Sequence, residues 1–244
     1  MDPPARNLKK ILPSQLMHYT LNQTGRTGRL ERIWSQVDLG TEVAAHERNV
    51  VFPVLREAAL KSRRILEVGA GDGRMIRLLR SEGVRAEFFA VDLSMRVMKA
   101  PASAYVADAR SLPFFNDSFD LVYSLAVVEH FPETAQAVKE HARVARTGGT
   151  VVVTTPHNSP ESFLRWLLHL KSGDYHKGTF EEVRGRNLSL RYARRVCRDA
   201  GLVVDLCVGT GRALSWPPWA SSLLHYCLPS SVFGSFLLVR GTKK

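Results

Sequence analysis

A short apolar run that feeds straight into alternating glycines constrains this chain more than any other feature. Ile65-Leu66-Glu67-Val68 leads into Gly69-Ala70-Gly71-Asp72-Gly73, and Met75, Ile76, Leu78 and Leu79 then recur at helical spacing from Arg74. Glycines at every second position let the backbone turn sharply at the end of a strand and let a ligand lie directly against it. The pattern around this unit extends it. Phe-Phe-Ala-Val-Asp, Ala-Tyr-Val-Ala-Asp, Asp-Leu-Val-Tyr-Ser and Thr-Val-Val-Val-Thr are further short runs, spaced by helical segments between Arg64 and about Thr155. Strands alternating with helices predict right-handed β-α-β crossovers, a parallel sheet and helices on both faces. Two later runs, Leu202 to Val208 and Phe236 to Arg240, read as strands, the second pairing antiparallel at the end of the sheet.

Open α/β sheets bind ligands beyond the carboxyl ends of their strands, and the acids there discriminate between ligands. A Gly-rich turn alone also serves dinucleotides. Glu67 and Asp72, however, bring negative charge to where a pyrophosphate would lie, and like charges 4 Å apart at an effective dielectric near 20 repel by about 4 kcal/mol. Asp92 closes the second strand about 20 residues after the turn, the offset at which an acid takes ribose hydroxyls. Asp108 closes the third, placed to accept from an exocyclic adenine amine. A single such acid is usually a helix cap or a solvated turn. Three at successive strand ends favour a ligand with an adenosine, no phosphates and a cationic tail.

These residues resemble the class I S-adenosylmethionine-dependent methyltransferases, of the type 11 and ubiquinone O-methyltransferase kind. The resemblance is carried by Glu67-Val-Gly-Ala-Gly-Asp-Gly73, Val91-Asp-Leu-Ser94, Ala107-Asp-Ala109, Phe119-Asp-Leu-Val-Tyr-Ser124 and Arg146-Thr-Gly-Gly-Thr150, in the family's order across about Arg64 to Pro156. It implies a Rossmann-like, doubly wound seven-stranded sheet, mostly parallel with an antiparallel last strand, and S-adenosyl-L-methionine as cofactor. It also implies a binding set of Glu67, Gly69, Gly71, Gly73, Asp92, Leu93, Asp108, Ala109 and Leu125. Within it Gly69 and Gly71 face the methionine portion, Asp92 takes the ribose, Asp108 and Ala109 edge the adenine, and Leu125, just beyond the fourth strand, lies near the sulfonium.

An activated methyl leaves the protein mainly the task of positioning an acceptor, and a hydroxyl acceptor gains from a base. Glu129-His130, after the fourth strand, resembles the Glu-His step of small-molecule O-methyltransferases, which makes His130 the candidate catalytic residue; a pocket-rim histidine is the competing reading. Metal-binding relatives carry a carboxylate three residues before that glutamate, where this chain has Ala126, so no metal is expected. His157 and His176 rank lower, and no spacing ties Tyr19 or Arg48 to the cofactor.

Composition bears on the acceptor. The 244 residues hold 34 Lys and Arg against 23 Asp and Glu, a formal charge of +11, with 45% hydrophobic residues, which excludes general disorder. Three scattered cysteines, Cys197, Cys207 and Cys227, exclude a disulfide scaffold and suit a reducing compartment. With no secretory signal pattern near the start, a cytoplasmic location is expected. Arg184, Arg186, Arg191, Arg194, Arg195 and Arg198 form a basic run that could contact phosphate, but one Tyr192 is little aromatic content for a single-strand binder. Helical spacing makes a solvated helix face the first reading, with an anionic membrane or acidic substrate left open. The uncharged stretch from Ala213 to Val239, with Trp216, Trp219, Leu223 and Leu224, reads as core, as an apolar lid or as a membrane-interface surface. No Asn-Pro-Pro-Tyr-like motif for amino-group methylation follows the fourth strand; Ser124-Leu-Ala-Val127 stands there.

The reading is therefore an N-terminal helical cap over residues 1–60 and a methyltransferase domain over 61–244, with a cofactor core at 64–156 and an acceptor side at 157–244. The acceptor is a small, fairly hydrophobic, lipid-like molecule methylated on oxygen. RNA is the alternative and a non-catalytic binding module the second. Nucleic acid ranks below a small molecule, peripheral contact with an anionic membrane stays open, and the oligomeric state is not legible.

Overall fold

The computed structural model describes residues 50–160, 185–210, 234 and 236–244. Tyr19, Arg48, His176, Arg184, Cys227 and the Trp216 to Leu228 stretch lie outside those residues. The described chain runs α1 (Phe52–Ala59), β1 (Arg64–Val68), α2 (Arg74–Ser81), β2 (Glu87–Asp92), a 3-10 turn (Met95–Lys99), β3 (Ser103–Val106) and β4 (Phe119–Leu125). A second 3-10 turn (Val128–His130) is followed by α3 (Thr134–Val144), β5 (Ala145–Pro156), α4 (Leu190–Asp199), β6 (Leu202–Thr210) and β7 (Phe236–Lys243).

The seven strands form one sheet in the order β3-β2-β1-β4-β5-β7-β6. β1 pairs in parallel with β2 and β4, β2 with β3, and β4 with β5. Side chains alternate across a strand, so a sheet covered on both faces needs apolar residues at every position. Ile65, Leu66 and Val68 of β1 meet that demand, while Arg64 is partly exposed and Glu67 is a buried acid. Ile65 joins a cluster with Val51, Leu55, Ile76 and Leu79, which belong to α2 and the α1 region. Leu66 and Val68 join the opposite cluster, with Ala137, Val138 and Ala142 of α3 and Val196 of α4.

The doubly wound, mostly parallel sheet is as the sequence predicts, but details differ. β7 is antiparallel to both neighbours, yet it lies inside the sheet between β5 and β6 rather than at its end. β3 stops at Val106, so Asp108 stands in the loop beyond the strand, and β4 includes Leu125 as its last residue. β5 starts early, at Ala145, because Phe119 pairs Ala145 and the register then jumps to Leu121 with Thr150; Arg146–Gly149 bulges out between.

Strand order reverses at β1, whose neighbours are β2 and β4, so the loops leaving β1 and β4 diverge and open a crevice between them. A rim forms beside β5. Leu188 bridges His157, donates its N–H to the Pro156 carbonyl (2.9 Å) and accepts from the Asn158 N–H (2.9 Å). α4 starts from this rim, with the Ser189 hydroxyl capping it by accepting the Tyr192 N–H at 3.2 Å.

Candidate functional site

The glycine turn is built from the backbone outward. Gly69 and Ala70 both donate their N–H groups to the Val91 carbonyl, at 2.7 and 3.0 Å, which ties the end of β1 to the end of β2. Gly69, Gly71 and Gly73 all have positive φ, at 74°, 54° and 82°, in the left-handed region that favours glycine. Their surroundings differ. A Cβ on Gly69 would collide with the Val127 side chain of the turn after β4, and one on Gly73 would meet Ala100 and Pro101 at 2.8 and 2.9 Å. A Cβ on Gly71 would meet nothing within 4 Å. Gly71 therefore borders open space, whereas Gly69 and Gly73 are small because protein packs against them.

The four acids have four different environments. Glu67 is buried opposite Tyr123 on β4; burial, then the Glu67 charge, pushes the Tyr123 phenol well above its usual range. Asp72 is half-exposed and paired with Arg77 at 2.9 Å, so its charge is compensated. The repulsion expected against a pyrophosphate thus rests on Glu67 alone. Asp92 accepts the Gly71 N–H on Oδ2 and the Ser94 N–H on Oδ1, each at 2.8 Å. Desolvation raises its pKa, and the bonds from Ser94 and Gly71 oppose the rise. Each oxygen keeps acceptor capacity for one more hydroxyl, which suits a vicinal diol.

Asp108 is buried and gripped by Arg110, with Nη2 to Oδ2 at 2.6 Å, Nε within 3.2 Å of both oxygens, and the Arg110 N–H to Oδ1 at 2.8 Å. An adenine amine would have to share an acceptor that arginine already occupies. Arg110 also bonds Glu133 at 2.8 Å and lies 4.9 Å over the Phe131 ring, so it clamps the loop after β3 to the loop after β4. The sequence reading passed over this residue, although Asp-Ala-Arg spacing was there to suggest it. Ala109 is buried in the α3-side core, with Leu93 packed against it, and Leu125 packs partly buried on the opposite cluster.

The turn after β4 carries unexpected strain. Ala126 has φ 53°, unusual for a side-chain-bearing residue, and is held by its N–H to the Thr154 carbonyl (3.1 Å) and hydroxyl (3.2 Å). Backbone strain of this kind costs about 1–3 kcal/mol and clusters at functional sites. It aims Val127 at Gly69 and starts the Val128–His130 turn.

In that turn Glu129 is 2% exposed, and neither carboxyl oxygen has a hydrogen-bond partner. Its methylene presses on Gly185, where a Cβ would collide with it. Burial pushes the Glu129 pKa up to about 8. His130 is half-buried beside it. Arg186, one of the basic run that could contact phosphate, stays exposed but is engaged with the turn. Its N–H donates to the Glu129 carbonyl at 3.1 Å and its guanidinium to the Pro132 carbonyl at 2.7 Å, fixing the turn. His157 is buried, its Nδ1 3.2 Å from the Gly234 carbonyl, and burial lowers its pKa, so it reads as a tie between chain segments. Among the described residues no group of three or more His, Cys, Asp or Glu is placed to hold a metal ion.

Residues 66–153 match the family model described as Methyltransferase domain. That match spans the glycine turn, Asp92, Asp108 and the Glu129 turn together. Residues 66–153 carry a methyltransferase domain of the class I S-adenosylmethionine-dependent kind. It is 35% identical over 111 residues to the chloroplastic tocopherol O-methyltransferase of Arabidopsis thaliana, covering 41% of this chain and 32% of that protein. To the malonyl-[acyl-carrier protein] O-methyltransferase of Pseudescherichia vulneris it is 38% identical over 97 residues, covering 37% and 38%. The chain thus spans about a third of the length of these two curated relatives.

Among solved structures, the geranyl diphosphate C-methyltransferase of Streptomyces coelicolor A3(2) aligns with a TM-score of 0.61 at 15% identity, over 91% of this chain and 99% of that one. An S-adenosylmethionine-dependent methyltransferase from Mesorhizobium loti aligns at 0.59 and 18%, over 84% and 100%. These likenesses show the fold. The family's cofactor fits the residues present: open space over Gly71, unused acceptor capacity on Asp92, and the buried Glu67 at the base of the turn.

Two glycine substitutions separate packing from ligand contact. Gly69→Ala is expected to lower the melting temperature and abolish S-adenosylhomocysteine binding, because Val127 cannot retreat. Gly71→Ala is expected to cost only the strain of its φ, about 1 kcal/mol, while weakening the ligand more than tenfold. Thermal melts paired with calorimetry check both; equal destabilisation by the two would refute the distinction.

Glu129 supplies a pH test. Its folded pKa lies above the ordinary carboxyl value of 4.5, at about 8, so the folded state holds the proton more tightly. Its stabilising contribution is fully present below pH 4.5 and is lost as pH rises through 8, by at most about 1.4 kcal/mol per pH unit. Glu129→Gln, which cannot ionise, should therefore gain stability relative to the parent between pH 5 and 9. Denaturant melts across that range would show a constant difference if the carboxyl were ionised throughout.

Proposed function

We propose that this chain transfers the methyl group of S-adenosylmethionine to an oxygen of a small, fairly hydrophobic acceptor. The observation that carries the reading is the Glu129-His130 turn: a buried carboxyl with neither oxygen bonded stands next to a half-buried imidazole, on a turn pressed against the glycine loop. Strongly perturbed titratable groups in a crevice are candidates for proton transfer. The names of the relatives support oxygen as the methylated atom, since tocopherol and malonyl-[acyl-carrier protein] O-methyltransferases are among them.

Bound S-adenosylmethionine supplies a methyl already activated on a sulfonium. In this reading Asp92 accepts the ribose hydroxyls, the Gly71 backbone lies against the methionine portion, and Leu125 packs near the sulfur. His130 would take the proton that the acceptor hydroxyl loses on methylation. Glu129, largely protonated at neutral pH, adds little negative charge beside the imidazole.

Asp92→Ala should weaken S-adenosylhomocysteine binding by about 1.5–3 kcal/mol, the range for hydrogen bonds to a charged group. Unchanged affinity in a folded variant would overturn the ribose assignment. With a phenolic acceptor such as a tocopherol, His130→Ala should cost roughly 100- to 10,000-fold in turnover and leave cofactor affinity nearly intact. A loss below tenfold would make His130 a rim residue.

A further inference from the structure

Several arginines of this sheet, its helices and its loops are matched to acids. Arg64 pairs with Glu87, Arg77 with Asp72, Arg110 with Asp108, Arg143 with Glu140, Arg146 with Asp120 and Arg240 with Asp205. α4 instead gathers four unmatched ones on a single helix. Arg191, Arg194, Arg195 and Arg198 are all exposed and make no ion pair among the described residues. They stand at positions i, i+3, i+4 and i+7 of the helix, so they share one solvent-facing side, while Ala193, Val196 and Cys197 are spent on the core. Arg195 lies 5.5 Å over the ring of Tyr192, which takes the one aromatic of the helix out of use for stacking.

We propose that the Arg191–Arg198 face of α4 is an electrostatic docking surface for an anionic lipid membrane. A bilayer surface is an extended plane of phosphates, and a straight strip of guanidiniums meets it without conformational change. The helix has no apolar side left to insert, so contact is superficial and salt-dependent rather than buried. Single-stranded nucleic acid would find the charge but not the stacking platform. α4 departs from the Leu188 rim beside the carboxyl end of β5, so the Arg191 end of the basic face stands nearest that rim. The idea rests on the apolar-acceptor reading above for its purpose, but binding to vesicles needs no acceptor and stands or falls separately from methyl transfer.

Sedimentation with vesicles tests it, using the full chain loaded with S-adenosylhomocysteine. Vesicles of equimolar phosphatidylcholine and phosphatidylglycerol should bind the protein, with affinity falling as salt rises, and pure phosphatidylcholine should not. Replacing all four arginines with glutamine should reduce partitioning several hundred-fold, at roughly fivefold per arginine, without altering cofactor affinity. Replacing all four with lysine should retain it, since charge rather than shape is used. Absence of binding by the parent, equal binding by the glutamine variant, or loss in the lysine variant would each overturn the proposal. An oligouridylate bound by the same arginines while vesicles are not would assign the face to RNA instead.

Discussion

The contact of Val127 with Gly69 is the constraint on which the site depends. It joins the turns leaving β1 and β4, the two central strands between which the sheet order reverses, so the floor and one wall of the crevice are set by a single van der Waals contact. Everything around it serves to hold that contact. Ala126 is kept in a strained conformation by Thr154 on β5, Arg110 clamps the loop after β3 to the one after β4, and Arg186 buttons the Val128–His130 turn from the far side. Close-packed interiors transmit small displacements, so the wall moves if any of these anchors yields.

Electrostatics in this crevice are arranged by removal rather than by accumulation of charge. Asp72 and Asp108 are each answered by an arginine, Asp92 is steadied by two backbone N–H groups, and Glu129 is protonated by burial. The remaining negative charge lies at Glu67, deep at the base of the turn, and at Asp92 at the end of β2. A cationic ligand therefore meets two fixed acids instead of a diffuse acidic field, and a site of this kind discriminates by position as well as by sign.

How much of this was legible beforehand follows from the range of the interactions. The sheet, its helices and the strand-end acids were readable because hydrophobic period and glycine spacing are local. β7 was placed at the end of the sheet because its pattern reports that it is buried, not which strands flank it. Asp92 kept its expected geometry, since its partners Gly71 and Ser94 lie in the same motifs. Asp108 did not, because Arg110 competes for its oxygens and side-chain pairing has no period. The condition of Glu129 was invisible for a similar reason: Gly185, which packs closely against it, is distant in sequence.

The interior position of β7 has a consequence for how the chain reaches this state. β6 is joined to the sheet only through β7, which comes after it in sequence, so on synthesis β6 emerges with no partner to receive it. Until β7 arrives, the exposed edge of β5 and the unpaired β6 are both open to foreign strands. β6 and β7 therefore join the sheet together, and a truncation within β7 would release two strands from the sheet where its length suggests the loss of one.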